Sequence, residues 1–321
     1  MLLPAFALHQ PTSVDGAVAL AARLAPDFDW VAGGTDLLPN YKQRLNARPH
    51  VVSLARVAEL RDLSTSRIGA LVRLRDLERD PAIRATFPAL ADAASQIAST
   101  TLRESGTVGG NLCLDNRCYY FNQSELWRDA KGGCLKVAGP ICLVVPTQKE
   151  NICWAAYSGD LAPVLQVLGA SVGIAGPDGR RTVPLVEFFQ PDGIRRNVLA
   201  RGELLTHVEI PETAKAYRAG YRKLRQRDTI DFPILGVAAA VHLEGDTVRD
   251  VRVSLTAVDT IPVWIDLADE RDKRMSLAWI ERIAARVLER VQPVKNVSLR
   301  PGYRRKMAAV LTRRLLVALT T

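Results

Sequence analysis

The sequence predicts an α+β fold, in which short strands and helices alternate over roughly the first two thirds of the chain and an antiparallel sheet with helices closes it. Three observations carry this. Apolar residues recur at helical spacing in segments bounded by Ser, Pro and Gly; strand-like apolar runs fall between them; and two turn signals, Pro177-Asp178-Gly179 and Glu244-Gly245-Asp246, each separate a pair of alternating stretches. A length of 321 residues suits two or three packed subdomains.

Ser13 is placed to cap a helix at Val14–Leu24, where Val14, Val18, Ala21 and Leu24 share a face. A strand then runs through Trp30 to Ala32 and stops at Gly33-Gly34. Strands follow at His50–Leu54 and Ile68–Val72, and a helix from about Pro88 to Ala98 has Pro in its first turn. Leu161–Leu168 reads as a helix, Ser171–Leu185 as a hairpin, and Val237–Val258 as a second hairpin. After Ala268 the pattern is helical to the end. Residues 114–156 break this rhythm, with four of the five cysteines and little periodicity. So long an aperiodic stretch inside a compact domain is uncommon unless it is functional or held by something other than a core.

Apolar residues at 48% and charged residues at 24% match an ordinary globular chain. The apolar run Pro233–Val241 is nine residues, and no run in the chain approaches the length of a membrane span. The first residues lack a basic region ahead of their apolar stretch and contain Pro4, so the expected location is the cytoplasm. Net charge is +9, and Lys295–Thr321 holds seven Lys and Arg with no acid. These charges are threaded through a helical apolar pattern without aromatic interleaving, which argues against nucleic-acid binding and for a surface helix facing an acidic partner.

Two glycine turns, VAGGTDLL at Val31–Leu38 and SGTVGGNL at Ser105–Leu112, each follow a framework element. Consecutive backbone N–H groups with no side chain in the way are what a pyrophosphate needs, and Thr35, Thr107 and Asn111 add side-chain donors. A double glycine is also an ordinary turn. Neither fits the dinucleotide fingerprint or the P-loop pattern. Asp160 stands where it can cap the helix at Leu161, and Lys223 lies among Arg218, Arg222, Arg225 and Arg227, as on a solvated face. Cys118, Cys134, Cys142 and Cys153 are separated by 16, 8 and 11 positions, and Cys113 precedes them. On spacing alone the four remain zinc ligands, iron–sulfur ligands or buried free thiols. His9, His50, His207 and His242 form no catalytic pattern, so substrate chemistry need not occur on this chain.

VAGGTDLLP, then ESGTVGGNLC, then YSGDLAPVLQVLGA, then YRKLRQRD together resemble the FAD-binding subunits of the xanthine oxidase family of molybdenum hydroxylases, over nearly the whole chain. The resemblance implies a PCMH-type FAD-binding domain of two α/β subdomains at 1–215, with an insertion at about 114–156, and a C-terminal domain at 216–321. It implies that Val31, Ala32, Gly33, Gly34, Thr35, Asp36, Leu37, Thr107, Gly109, Gly110 and Asn111 wrap the FAD pyrophosphate. Asp160 would bond a sugar or ribityl hydroxyl, and Lys223 would approach the flavin ring. Substituting Gly34 or Gly110 is expected to clash with the phosphates or with a backbone at positive φ.

The insertion, NLCLDNRCYYFNQSELWR, then GGCLKVAG, then the cysteine before AYSGD, is similar to that of 4-hydroxybenzoyl-CoA reductase beta subunits, with a third cysteine gap about two residues longer. That likeness implies a [4Fe–4S] cluster on Cys118, Cys134, Cys142 and Cys153, leaving Cys113 spare. It also implies a molybdopterin-binding large subunit and a small subunit with two [2Fe–2S] clusters, in a dimer of heterotrimers that a ferredoxin supplies with electrons. The runner-up is the FAD subunit of an oxidative molybdenum hydroxylase, passing electrons to NAD or a quinone. A zinc-stapled scaffold or a nucleic-acid binder is the non-enzymatic alternative.

Overall fold

The computed structural model describes residues 2–321. Its first sheet is parallel, with β1 (Ala7–His9) and β2 (Phe28–Val31) on either side of β3 (His50–Ser53). Helix α1 (Val14–Leu24) links β1 to β2. It starts at Ser13, whose hydroxyl accepts the Gly16 amide, and it buries Val14, Ala17, Val18 and Ala21. Helix α2 (Leu37–Lys42) leaves β2 across the first glycine turn.

The second sheet, ordered β4-β7-β5-β6, is antiparallel and comprises β4 (Arg67–Gly69), β5 (Ser171–Gly176), β6 (Gly179–Pro184) and β7 (Leu204–Glu209). Between β4 and β5 lie α3 (Leu74–Arg79), α4 (Pro81–Thr86), α5 (Pro88–Ser95), α6 (Thr100–Arg103), α7 (Val108–Leu112), α8 (Glu125–Ala130) and α9 (Leu161–Val167), and α10 (Leu185–Phe188) follows β6. Every residue of α9 is buried, because the helix packs against α5 and α10 and against the third sheet.

That third sheet runs β11-β10-β9-β8, all antiparallel: β8 (Arg218–Leu224), β9 (Leu235–Glu244), β10 (Thr247–Thr256) and β11 (Val263–Ile265), with β12 (Lys273–Arg274) beside the start of β10. Ala238 and Ala240 of β9 join the α9 core, while Val237, Ala239 and Val241 face the core made with α11 (Leu277–Arg290) and α12 (Pro301–Thr320). A strand covered on both faces reads as a continuous apolar run, which accounts for Pro233–Val241.

Several boundaries differ from expectation. The strand placed at Ile68–Val72 is only Arg67–Gly69, and the helix from Pro88 ends at Ser95. The helical stretch after Ala268 is interrupted by β12 and by residues 291–300. Helix α12 buries one face, with Ala308, Leu311, Leu315 and Leu316 buried and Arg304 fully enclosed, while Lys306, Arg313 and Arg314 stay exposed. Strands β1, β7, β8 and β11 lie outside the sequence expectation, since short or Arg-interrupted strands carry little period-2 signal. No helix among the described residues is long and apolar enough to cross a membrane.

Candidate functional site

The two glycine turns meet. A Cβ on Gly33 would lie 1.9 Å from the Ser105 carbonyl oxygen, so the first turn can rest on the second only without a side chain there. Gly34 adopts φ +71°, a conformation that favours glycine. Val31 ends β2, Ala32 through Asp36 form the turn, and Leu37 opens α2. The N–H groups of Gly33, Gly34, Thr35 and Asp36 have no protein acceptor among the described residues. Free amides on consecutive residues of a chain reversal fit an anionic group such as a pyrophosphate.

The second turn is built differently. Thr107 caps α7 by accepting the Gly110 amide at 3.1 Å, while Val108 and Gly109 donate to Val72 and Ala70. Gly110 is not at positive φ, so only the first turn demands glycine for its backbone. The Asn111 amide oxygen accepts the Leu161 N–H at 3.1 Å, tying this turn to α9. The second turn therefore supports the first, and fewer of its amides are free than the sequence suggested.

Asp36 faces the cysteine segment. Its carboxylate pairs with Arg117 and accepts the Asp115 amide at 3.1 Å. Arg117 also lies 4.2 Å from the centroid of the Phe232 ring, and its buried Nε has no protein partner.

Asp160 occupies the residue before α9 but makes no capping bond with its side chain. Instead its Oδ1 lies 3.0 Å from Lys223 Nζ and accepts the Tyr221 hydroxyl at 2.8 Å. Lys223 Nζ also donates to the Gln96 carbonyl at 2.8 Å. The side chains of Asp160 and Lys223 are 3% and 0% exposed, so Lys223 belongs to no solvated face. Burial pushes the Asp160 carboxyl up, opposed by the Lys223 ammonium and the Tyr221 hydroxyl. Tyr221 is the member of this cluster that sequence reasoning missed; its place two residues from Lys223 on a strand, hence on the same face, was the available signal.

The cysteine segment is closed at its base by a reciprocal pair, Arg117 N–H to the Ala156 carbonyl at 2.8 Å and Ala156 N–H to the Arg117 carbonyl at 2.7 Å. Cys118, Cys134, Cys142 and Cys153 all line one small cavity. All four are buried, and all five cysteines are free of disulfides. Cys113 lies apart on the glycine turn. Phe121, Leu45 and Ala155 pack with Cys118 and Cys153, so the segment shares a small apolar core with Leu45 from beyond the end of α2.

The longer third gap is held by one side chain. Gln148 donates from Nε2 to the Ile152 carbonyl at 2.6 Å, while its Oε1 accepts from the Ile152 N–H at 3.3 Å and from Trp154 Nε1 at 2.8 Å. Cys153 itself is fixed by its N–H to Asp192 and by its carbonyl, which accepts the Gly193 N–H. Burial pushes the Cys153 thiol up to about 12; Lys136 opposes this, and Cys142 and Cys118 add to it. Burial likewise raises Cys118. Thiols in this state give up protons when a metal binds. No three His, Cys, Asp or Glu among the described residues converge on a single ion position.

A surface cavity of about 470 Å³ lies outside both sites, between the end of α2 and the start of the cysteine segment, lined by Lys42, Arg44, Asn122 and Leu126 among others.

A family model for the FAD binding domain in molybdopterin dehydrogenase matches residues 4–213, and one for the CO dehydrogenase flavoprotein C-terminal domain matches residues 219–319. The chain belongs to the FAD-binding subunits of the molybdenum hydroxylase family. It is 29% identical to the carbon monoxide dehydrogenase medium chain of Hydrogenophaga pseudoflava over 99% of this chain and 98% of that one. The aldehyde oxidoreductase FAD-binding subunit of Escherichia coli is 30% identical over 81% of this chain and 84% of its own length. In three dimensions it matches the Hydrogenophaga pseudoflava carbon monoxide dehydrogenase that lacks the Mo-pyranopterin moiety of its cofactor, with a TM-score of 0.80 at 26% identity over 99% of this chain and 98% of that one. The mixed helix and sheet fold with a C-terminal antiparallel sheet is thus that of the medium chains, and FAD belongs to the first domain.

Proposed function

We propose that this chain holds a [4Fe–4S] cluster beside FAD and serves as the electron-transfer subunit of a molybdenum enzyme of the 4-hydroxybenzoyl-CoA reductase type. The observation that carries this reading is the four cysteines on one cavity, drawn from a segment spanning 36 residues, Cys118 to Cys153. Four thiols on one cavity are a ligand set that a cluster, which spreads its ligands over several irons, can use. When bound, FAD exchanges electrons in pairs or singly and the cluster exchanges them singly.

The chain's own residues have distinct tasks. Gly33, Gly34, Thr35 and Asp36 direct free amides at the FAD pyrophosphate, with Val31, Ala32 and Leu37 framing the turn and Thr107, Gly109, Gly110 and Asn111 supporting it. Asp160, oriented by Lys223 and Tyr221, supplies an acceptor in a dry site. Cys118, Cys134, Cys142 and Cys153 bind iron, and Asp36 with Arg117 joins the two sites. Residues 1–215 then form the FAD domain, with its insertion at about 114–156, and 216–321 the C-terminal domain. The partners in this reading are a molybdopterin-binding large subunit, which reductively removes a phenolic hydroxyl, and a small subunit with two [2Fe–2S] clusters, in a cytoplasmic dimer of heterotrimers. A ferredoxin is the donor, and the basic charge suits its acidic surface.

A second reading has its own support. The relatives named above are a carbon monoxide dehydrogenase and an aldehyde oxidoreductase, which favours an oxidative hydroxylase passing electrons outward to NAD or a quinone. Metal analysis separates the two. The first expects about four iron per copy of this chain beyond those of any partner subunit, lost with the EPR signal when Cys118, Cys134, Cys142 or Cys153 becomes Ser and kept in Cys113→Ser, with FAD retained throughout. No such iron in the wild type leaves the second reading.

A further inference from the structure

The cavity shared by the four cysteines has a single charged side chain in its wall. Its lining is otherwise apolar or aromatic: Tyr120, Phe121, Leu135, Leu143, Val144 and Ala155. The exception is Lys136, two residues beyond Cys134, on a 3-10 turn at Leu135–Val137. Its side chain is only 4% exposed. The ammonium is pinned: Nζ donates to Asp115 Oδ1 at 2.7 Å and to the Asn116 carbonyl at 3.0 Å, and it lies 4.4 Å from the centroid of the Phe121 ring.

We propose that Lys136 sets the reduction potential of the four-cysteine site, holding it higher than an uncharged wall would. This rests on the reading that Cys118, Cys134, Cys142 and Cys153 bind a [4Fe–4S] cluster. A cluster on four thiolates is an anion, and when it takes one electron from a one-electron donor its charge becomes one unit more negative, with no bond made or broken. A fixed cation in a dry wall stabilises the reduced state more than the oxidised one. Lys136 is not cancelled by its carboxylate partner, because Asp115 is shared with Arg196, whose Nη1 lies 3.5 Å away. Of these charges only the Lys136 ammonium lies in the cavity wall; Asp115, Arg196 and Asp192, whose carboxylate accepts the Cys153 N–H at 3.0 Å, lie outside the lining. Packing alone does not call for this residue: a methionine would fill the same volume without burying an ammonium.

The test is an EPR-monitored redox titration, with iron and flavin counts, of the intact complex as purified, in wild type, Lys136→Met, Lys136→Arg and Asp115→Asn. In Lys136→Met the midpoint is expected to fall enough to change the reduced-to-oxidised ratio at fixed potential about tenfold, which is about 59 mV for one electron. Lys136→Arg, which keeps the charge, should stay near the wild type. Asp115→Asn, which leaves the ammonium less balanced, should shift the midpoint upward. Opposite shifts in the two charge-removing variants are not what a packing role produces. An unchanged or raised midpoint in Lys136→Met with full iron overturns the proposal. Should that variant not hold iron, Asp115→Asn decides: a raised midpoint supports the proposal, and an unchanged or lowered one overturns it. Wild-type protein without the cluster overturns both this inference and the reading beneath it, whereas iron present with unmoved potentials overturns this inference alone.

Discussion

Single residues at the glycine turns and at the Asp160–Lys223 pair are constrained by what lies within a few ångströms of them. Gly33 has the Ser105 carbonyl where its Cβ would be, so Gly33→Ala must push the glycine turns apart. Gly34 is held at φ +71°, where a non-glycine residue costs roughly 1–2 kcal/mol. Both variants are expected to purify flavin-poor, whereas Gly110→Ala, facing only the Thr107 hydroxyl at 3.0 Å, should keep most of its flavin. The ratio of flavin absorbance to protein decides this, and equal flavin in all three would dismiss the asymmetry. Asp160 and Lys223 are a buried ion pair, so removing either leaves an uncompensated charge, at a cost of about 3–5 kcal/mol. Asp160→Ala and Lys223→Met are each expected to lower the urea midpoint strongly, and the double variant to recover part of the loss. Sequence made Asp160 conspicuous as a helix-capping candidate. It could not show that the carboxylate turns away from the helix, because that depends on Lys223 arriving from a strand 63 positions later.

At the scale of elements, legibility follows periodicity. Helix α1 was readable to the residue, because its cap and apolar spacing are both local, and the two hairpins were readable to within two residues at their ends. Strand β8 was not: Arg218, Arg222 and Lys223 disguise it, and its buried residue, Tyr221, answers to the distant Asp160. The cysteine segment was legible as a list of ligands but not as a fold. Its closing pair, Arg117 with Ala156, and its staple, Gln148, leave no pattern that propensity detects. Gln148→Ala removes three hydrogen bonds to residues flanking Cys153, each worth about 0.5–1.5 kcal/mol net. Hydrogen exchange at residues 145–154 is expected to quicken in this variant, with exchange in α1 unchanged. Equal protection in both proteins would mean that the longer gap is held by something else.

Across the whole molecule, the C-terminal part does more than cover a sheet. Arg304 of α12 is fully buried with no carboxylate beside it; it donates to the carbonyls of Ile234, Val294 and Ala257 and lies 3.5 Å from Asn296 Oδ1. Asn296 passes that anchorage on. Its carbonyl accepts the Tyr119 N–H at 2.9 Å, and its side-chain amide donates to the Trp154 carbonyl at 2.6 Å, so one residue grips both ends of the cysteine segment next to Cys118 and Cys153. Asn116, also fully buried, donates to the Thr260 carbonyl at 2.8 Å and adds a second tie. The basic tail therefore holds the cysteine site in place from outside the FAD domain, a role that net charge alone concealed. Asn296→Ala is expected to strip one hydrogen bond from Trp154 and loosen the Arg304 anchorage, while the glycine turns, far along the chain, keep their geometry. Protein carrying it should retain its flavin and lose iron faster than wild type when challenged with a chelator. Parallel loss of flavin and iron would instead show that the C-terminal part supports both sites as one unit.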